Sequence, residues 1–301
     1  MILAIPPVEV ALGPVQEAFA ALRKRRGAAA TGGLAPGLLV PPGATGWLPA
    51  AELVSGRALH ELLVAAKQRW NATPHAAAAL AWRSYTYWLA MPAVLGWAAA
   101  RRVPLLDPAD VLVRITAAQS RPLVTFGLRR LRLAVRAGDP LVTGARDTGS
   151  AAGDPLGTGA SDREASAPGS PPAAGPGLAG RPELVLVDSE QQLLAELRAT
   201  LRDRHLDPLL AQLRTRVNLG SRLLLGSLAS AVAYSVVRGT AAAPAEQEAT
   251  AATLLSVLDL ADLVTLEPGP EGPSVKRKTC CLAFTLPEPK VCSGCCLRPA
   301  L

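Results

Sequence analysis

The sequence predicts a mainly α-helical protein with a small antiparallel β-sheet, an α+β class, that ends in a loop-like segment. Three observations lead to this prediction. Hydrophobic residues make up 50% of the 301-residue chain, and many of them are Ala and Leu, which favour helices. Only a few short stretches are rich in the β-branched residues that favour strands. All five cysteines lie between positions 280 and 296, close to the end of the chain.

The N-terminal half, residues 1–137, contains several predicted helices and one predicted hairpin. Its last helix begins after Thr73 and Pro74, an N-cap residue followed by proline at the first helical position. The stretch 27–46 is rich in Gly, Pro and Ala and is predicted to be a loop. Two β-branched stretches flank a polar turn and predict a β-hairpin. The predicted elements are helices over 1–25, 56–70 and 75–101 and strands over 111–115 and 123–126.

Residues 138–181 separate the two structured halves of the chain. They are mostly Gly, Ala, Ser, Pro and Asp and contain almost no large apolar side chain. Such a stretch buries too little surface to offset its ordering entropy, which predicts a disordered insertion. The C-terminal half, residues 182–269, is predicted to be mainly helical. Its predicted elements are a strand over 183–187 and helices near 189–203, 207–217, 219–238 and 244–257.

The net charge of +7 raises the question of nucleic-acid binding, but no helix-turn-helix, zinc-finger or RNP pattern accompanies it. Arg alternates with Leu and Val over 129–136, which predicts a strand with one solvated basic face. No apolar run reaches the ~18 residues of a membrane span, and the first residues lack the basic region of a secretory signal. We therefore expect a cytoplasmic protein that neither binds nucleic acid nor spans a membrane.

The cysteines follow the pattern Cys280-Cys281-x10-Cys292-x2-Cys295, with Cys296 directly after it. An odd number of cysteines in a long chain argues against a disulfide framework, and clustered thiolates bind zinc or an iron–sulfur cluster. Zinc sites usually have two Cys-x2-4-Cys knuckles, whereas only one such knuckle occurs here, with Gly294 free to adopt a positive φ. The two neighbouring cysteines project apart, which favours a cluster of two irons, although the spacing leaves zinc open.

This C-terminal pattern resembles the signature of the FhuF-like ferric-siderophore reductases, whose four cysteines hold a [2Fe–2S] cluster. The resemblance implies that residues 270–301 form the cluster-binding segment. Cys296 departs from the family pattern, so either Cys295 or Cys296 could be the fourth ligand, and the x2 spacing favours Cys295 with Cys296 as a bystander thiol. The implied ligands are Cys280, Cys281, Cys292 and Cys295.

A weaker likeness to the same family covers residues 82–110, 188–209 and 222–234. In the first and third of these regions, Arg83 and Arg222 are the candidate contacts for the substrate. The basic run 276–278 directly precedes the first cysteines, where cations favour the reduced form of a cluster.

The resemblance implies an oxidoreductase of iron homeostasis, a ferric reductase that reduces siderophore-bound Fe(III) to Fe(II) by one-electron transfer. The implied partners are a ferric hydroxamate-type siderophore and an electron donor such as a ferredoxin or a flavin reductase. The donor is needed because the chain shows no flavin or nicotinamide fingerprint. No catalytic acid, base or nucleophile is expected. Two other functions remain open, an iron–sulfur electron-transfer protein for another reductase and a zinc-stabilised binding module without redox activity.

Two further features have ordinary structural interpretations. Trp82, Tyr85 and Trp88 fall on one stripe of the predicted helix over 75–101, a spacing that is typical of core packing. His205 directly precedes the start of a predicted helix, which favours a capping role over a functional contact.

Deletion of residues 148–177 is expected to leave the fold, the cluster and the activity intact, because nothing in this stretch can pack or ligate. Soluble yield, visible absorption and reduction of a ferric siderophore are compared between the shortened and the full-length protein. A shortened protein that accumulates only in insoluble form would show that the stretch is structural.

Overall fold

The computed structural model describes residues 7–142, 181–269, 272–291 and 294–297. Within these ranges helices dominate and the strands form three small sheets, which confirms the predicted α+β class. The sheets differ from the prediction in one respect, because two of them combine a parallel pair with antiparallel pairs. Most of the predicted insertion, residues 143–180, lies outside the described residues.

The helices are α1 (Val8–Arg26), α2 (Ala50–Val54), α3 (Leu59–Trp70), α4 (Pro74–Ala100), α5 (Glu190–Arg198), α6 (Asp207–Arg216), α7 (Ser221–Gly239) and α8 (Pro244–Val257). A π-helical stretch, Ala199–Leu206, joins α5 to α6. The strands are β1 (Leu34–Leu39), β2 (Leu48–Pro49), β3 (Val103–Pro104), β4 (Val111–Ile115), β5 (Val124–Leu128), β6 (Arg132–Arg136), β7 (Glu183–Val187), β8 (Val264–Glu267) and β9 (Ser274–Arg277). The strand orders are β1-β5-β4-β2, β3-β6-β7 and β8-β9.

Helix α4 is buried along most of its length. It begins as predicted, because the Thr73 hydroxyl accepts a hydrogen bond from the Ala76 N–H at 3.4 Å and Pro74 occupies the first turn. Apolar side chains surround the helix on nearly all sides, and a helix of this kind lies inside the core. The aromatic stripe of α4 accordingly packs in the interior, which confirms the structural interpretation of those residues.

Helix α7 runs beside α4 in the same direction. Near the start of both helices, the Trp82 indole N–H donates to the Leu224 carbonyl at 2.7 Å. Near their ends, Gly239 lies so close to Leu95 that a Cβ at this position would overlap the leucine side chain. Small residues along α7 therefore allow the two helices to approach closely. The cysteine segment packs against this helix pair.

The first sheet contains the predicted hairpin and two unpredicted strands, β1 and β2. Strands β4 and β5 pair in antiparallel register, with Val113 opposite Phe126, as expected. Strand β1 lies within the stretch that was predicted to be a loop, and it pairs in parallel with β5. Its Gly- and Pro-rich sequence carries no strand signal, so the prediction was wrong there. Gly33 lies directly against the Trp88 ring, where no side chain would fit. This close approach brings the following residues beside β5, where they can pair as a strand.

The second sheet joins the two halves of the chain. Strands β6 and β7 pair in parallel over their whole length. The predicted strand over 129–136 is thus present, but its basic face is not simply solvated. Arg132 is partly buried and lies 2.7 Å from an Asp107 carboxylate oxygen and 3.1 Å from a Glu183 carboxylate oxygen. These ion pairs tie β6 to its neighbours on both sides.

One hydrophobic core extends through both halves of the described chain. It includes Leu12 of α1, Leu89 of α4, Val232 of α7 and Leu254 of α8, all essentially inaccessible to solvent. The halves before and after residues 138–181 therefore share a common interior.

Among the helices that the structure describes, none combines the length and the apolar character needed to cross a membrane.

His205 is completely buried in the π-helical stretch. Its Nδ1 lies 2.7 Å from the Leu106 carbonyl oxygen and its Nε2 lies 2.7 Å from the Tyr85 hydroxyl. A carbonyl only accepts, so Nδ1 carries the proton and Nε2 accepts from the tyrosine. Burial lowers the pKa of His205 to about 4. The capping role was therefore a wrong prediction, since the imidazole instead links the π-helical stretch to α4.

Stability is expected to fall between pH 7 and pH 5 because His205 stays neutral in the fold while the unfolded chain takes up a proton. The pKa of an unfolded histidine is about 6.5, so this group contributes stability above that pH and loses about 2 kcal/mol of it by pH 5. We expect the thermal midpoint of the wild-type protein to decrease by roughly 4 °C over this range. His205→Gln should flatten the decrease, and exposed His75→Gln should retain it. An unchanged pH dependence in His205→Gln would refute the assignment.

Candidate metal centre

The segment that carries the first two cysteines lies directly on α7. Gly226 of α7 faces Thr279, and a Cβ on this glycine would overlap the threonine side chain. On the other side, the Lys278 N–H donates to the Leu263 carbonyl at 3.0 Å, which continues the β8–β9 ladder. The chain therefore enters the cysteine motif held between a helix and a strand pair.

The vicinal cysteines have different environments. Cys281 is 5% exposed and belongs to the hydrophobic core, whereas Cys280 is partly exposed. The Leu282 N–H donates to Cys280 Sγ at 3.3 Å. Leu282 adopts a left-handed conformation with φ 60°, which costs a residue with a side chain about 1 kcal/mol. In this conformation the Leu282 N–H points at the Cys280 sulfur, and hydrogen bonds of this kind are found around metal-bound thiolates.

Gly294 and Cys295 belong to the predicted knuckle. The Arg277 N–H donates to the Gly294 carbonyl at 3.0 Å, which attaches the knuckle to the end of β9. A Cβ on Gly294 would overlap the Val275 carbonyl oxygen. Close packing is thus one reason for glycine at this position. Cys295 is buried and its Sγ accepts from the Leu297 N–H at 3.5 Å.

Two cysteines of the C-terminal run remain. Cys292 lies outside the described residues. Cys296 is exposed, and partial desolvation raises the pKa of its thiol. The neighbouring Cys280 and Cys295 thiols act on this pKa in the same direction. Within the described part of the chain, no group of three or more candidate ligands is close enough to hold an ion.

The surroundings of Arg277 indicate whether the site can accommodate an anionic cluster. Its side chain is 5% exposed, and its Nη2 donates to Ser227 Oγ at 3.0 Å. Its buried Nε has no hydrogen-bond partner among the described residues, and neither has the buried Thr279 hydroxyl. A buried cation without an anion is costly, and a cluster held by four thiolates carries net negative charge. The donor set and these two orphaned donors therefore fit a [2Fe–2S] group in this place.

The two arginines predicted to contact the substrate lie in different places. Arg83 of α4 is partly buried, and its Nη1 donates to Cys281 Sγ at 3.7 Å. Arg222 of α7 is exposed and pairs with an Asp262 carboxylate oxygen at 2.6 Å on the surface. The structure thus brings Arg83 to the cysteine motif and keeps Arg222 in an ordinary surface ion pair.

A cavity of about 760 Å³ lies between α1, α4, α7 and the cysteine segment. Arg83 lines it, so one side chain reaches both the cavity and Cys281. Apart from the basic run before the cysteines, the sequence gives no signal for this cavity, because its lining comes from distant parts of the chain. The aromatic lining residues are Trp70, Tyr87, Trp88 and Tyr234, and the cationic ones are Arg26, Arg83, Arg238, Arg277 and Lys290.

The arrangement can hold a bulky amphipathic ligand close to Cys281. Aromatic rings supply apolar walls, and guanidinium groups supply charge. Comparison of the chain with models of known protein families and with curated proteins gives no match. Support for a function therefore comes from the cysteine pattern and from this geometry.

Replacement of Cys296 by Ser is expected to preserve the visible absorption and the iron content, whereas Cys295→Ser should lose both. The reason is that Cys295 is buried with a backbone donor on its sulfur, while Cys296 is exposed and has a raised thiol pKa. The double variant shows whether one thiol substitutes for the other. Bleaching by Cys296→Ser alone, with Cys295→Ser unaffected, would reverse the ligand assignment.

Proposed function

We propose that this protein is a ferric-siderophore reductase that reduces siderophore-bound Fe(III) to Fe(II) by one-electron transfer. The observation that carries the proposal is the position of Arg83. Its guanidinium donates to Cys281 Sγ at 3.7 Å and also lines the 760 Å³ cavity. A ligand in the cavity is therefore separated from Cys281, a proposed cluster ligand, by the thickness of a single side chain.

Four cysteines would hold a [2Fe–2S] cluster, namely Cys280, Cys281, Cys292 and Cys295. When bound, the cluster supplies a single electron at a time. The chain contributes N–H donors to the sulfur atoms, from Leu282 and Leu297 of the backbone and from the Arg83 side chain. Such donors and the buried Arg277 stabilise added negative charge, which favours the reduced form.

The cavity residues would bind and orient the ferric chelate. The rings of Trp88 and Tyr87 form part of an apolar wall, and Ser84 and Ser230 add hydroxyl groups to the lining. No proton has to be moved to or from a particular atom, because outer-sphere electron transfer breaks no covalent bond. The protein's task is to hold the chelate close and to exclude water from the path.

Iron release follows from the chemistry of the substrate. Hydroxamates bind Fe(III) through hard oxygen donors, and the larger, less charged Fe(II) is held much more weakly by them. One electron therefore loosens the chelate, and the siderophore oxygens take up protons from water as the iron leaves. The electron comes from an external donor, a ferredoxin or a flavin reductase, and we propose the cytoplasm as the location.

Anaerobic purification followed by absorption spectroscopy before and after dithionite tests the proposal. We expect a coloured protein that contains iron and sulfide, bleaches on reduction, and releases Fe(II) from a ferric hydroxamate to a ferrous chelator. Cys281→Ser should lose the cluster and the activity, because a hard oxygen replaces a soft thiolate at a buried position.

Cys296→Ser serves as the matched control, since it removes a neighbouring but exposed thiol. A colourless protein with one bound zinc would instead identify a zinc-stabilised binding module. A cluster-containing protein with no affinity for ferric hydroxamates would identify an electron-transfer protein for another reductase. Normal iron and sulfide in Cys281→Ser would refute the ligand assignment.

A further inference from the structure

Positively charged side chains line the cavity beside Cys281. Its lining includes five cationic residues, and no Asp or Glu is among the lining residues that the structure describes. Within the described ranges of the chain, none of the five forms an ion pair with a carboxylate. Like charges gathered around one cavity repel one another and attract an anion.

The cysteine site accounts for only part of this charge. Arg83 donates to a cysteine sulfur, and the Arg277 backbone N–H binds the Gly294 carbonyl beside Cys295. Arg26, Arg238 and Lys290 have no such partner in the described part of the chain. The Arg238 guanidinium lies 4.2 Å from the centroid of the Tyr234 ring, and this stacking holds it at the cavity wall. Arg26 and Lys290 are exposed and stand at the rim.

We propose that this cavity selects ferric chelates with a net negative charge, and among hydroxamates those that carry a carboxylate besides the iron-binding groups. The inference rests on the proposed reductase function and specifies its substrate. A carboxylate matches the planar fork of Arg238, which can bind it with two parallel hydrogen bonds. The aromatic walls receive the apolar parts of the same ligand. A positively charged chelate would meet uncompensated repulsion from the same residues.

A series of chelates that differ only in charge tests the proposal. Desferrioxamine B with its free amine gives a singly positive complex, its N-acetyl derivative a neutral one and its N-succinyl derivative a singly negative one. Loaded with Ga(III), which is not reduced, the three complexes are titrated calorimetrically into the cluster-containing protein. We expect the affinity to rise along the series by at least about tenfold, and the preference to shrink with added salt.

Substitutions at the rim assign the preference to particular residues. Arg26→Gln and Lys290→Gln should each weaken binding of the negative complex about threefold and leave the positive complex unchanged or slightly tighter. Arg129→Gln removes a cation that is exposed and does not line the cavity, and it should change none of the affinities. The rim variants should fold normally because both side chains are exposed.

The outcomes separate the substrate class from the function itself. Equal affinities, or tighter binding of the positive complex, overturn the charge selectivity while chelate binding stands. Rim variants that weaken all three complexes alike also overturn it, since charge would then not be the cause. Binding of none of the complexes overturns both the selectivity and the reductase function.

Discussion

The direct contact between α7 and the loop at Thr279 is the constraint on which the site depends. Gly226 has no side chain at the point of contact, and any Cβ there would occupy the position of the threonine. The Trp82 indole N–H, hydrogen-bonded to the Leu224 carbonyl, keeps α4 beside the same end of α7. These two contacts decide that Arg83 of α4 reaches Cys281. A larger side chain at the contact between helix and loop could not be accommodated, because protein interiors are packed without spare volume.

Buried positive charge is the second organising feature. Arg277 ends β9, fixes the Gly294 carbonyl with its backbone and turns its guanidinium into the interior beside Ser227. The desolvation of this guanidinium is offset only by an anion nearby. A cluster held by the cysteines, as proposed above, would supply that anion. The rest of the cationic lining surrounds the adjoining cavity and gives it the same preference.

The elements far from the cysteines serve to hold α4 in place. The buried pair of Tyr85 and His205 ties α4 to the π-helical stretch between α5 and α6. On the other side, Gly33 lets β1 approach the Trp88 ring. Trp88 thereby presents one part of its ring to the core and another part to the cavity. Helix α4 is therefore fixed on both sides, which gives the cavity a defined wall.

The sequence by itself determined the fold class, most of the helices and the hairpin, because hydrophobic periodicity and caps such as Thr73 act locally. It also singled out the cysteine pattern, since clustering is visible in one dimension. It missed the short helix α2 and several strands, among them β1, whose backbone becomes a strand only by pairing with β5. Only the tertiary structure decided that Arg83 approaches Cys281, that Arg222 remains at the surface, and that cations from distant segments line one cavity. The reason is that these contacts depend on how α4, α7 and β9 pack, and packing has no local sequence signal.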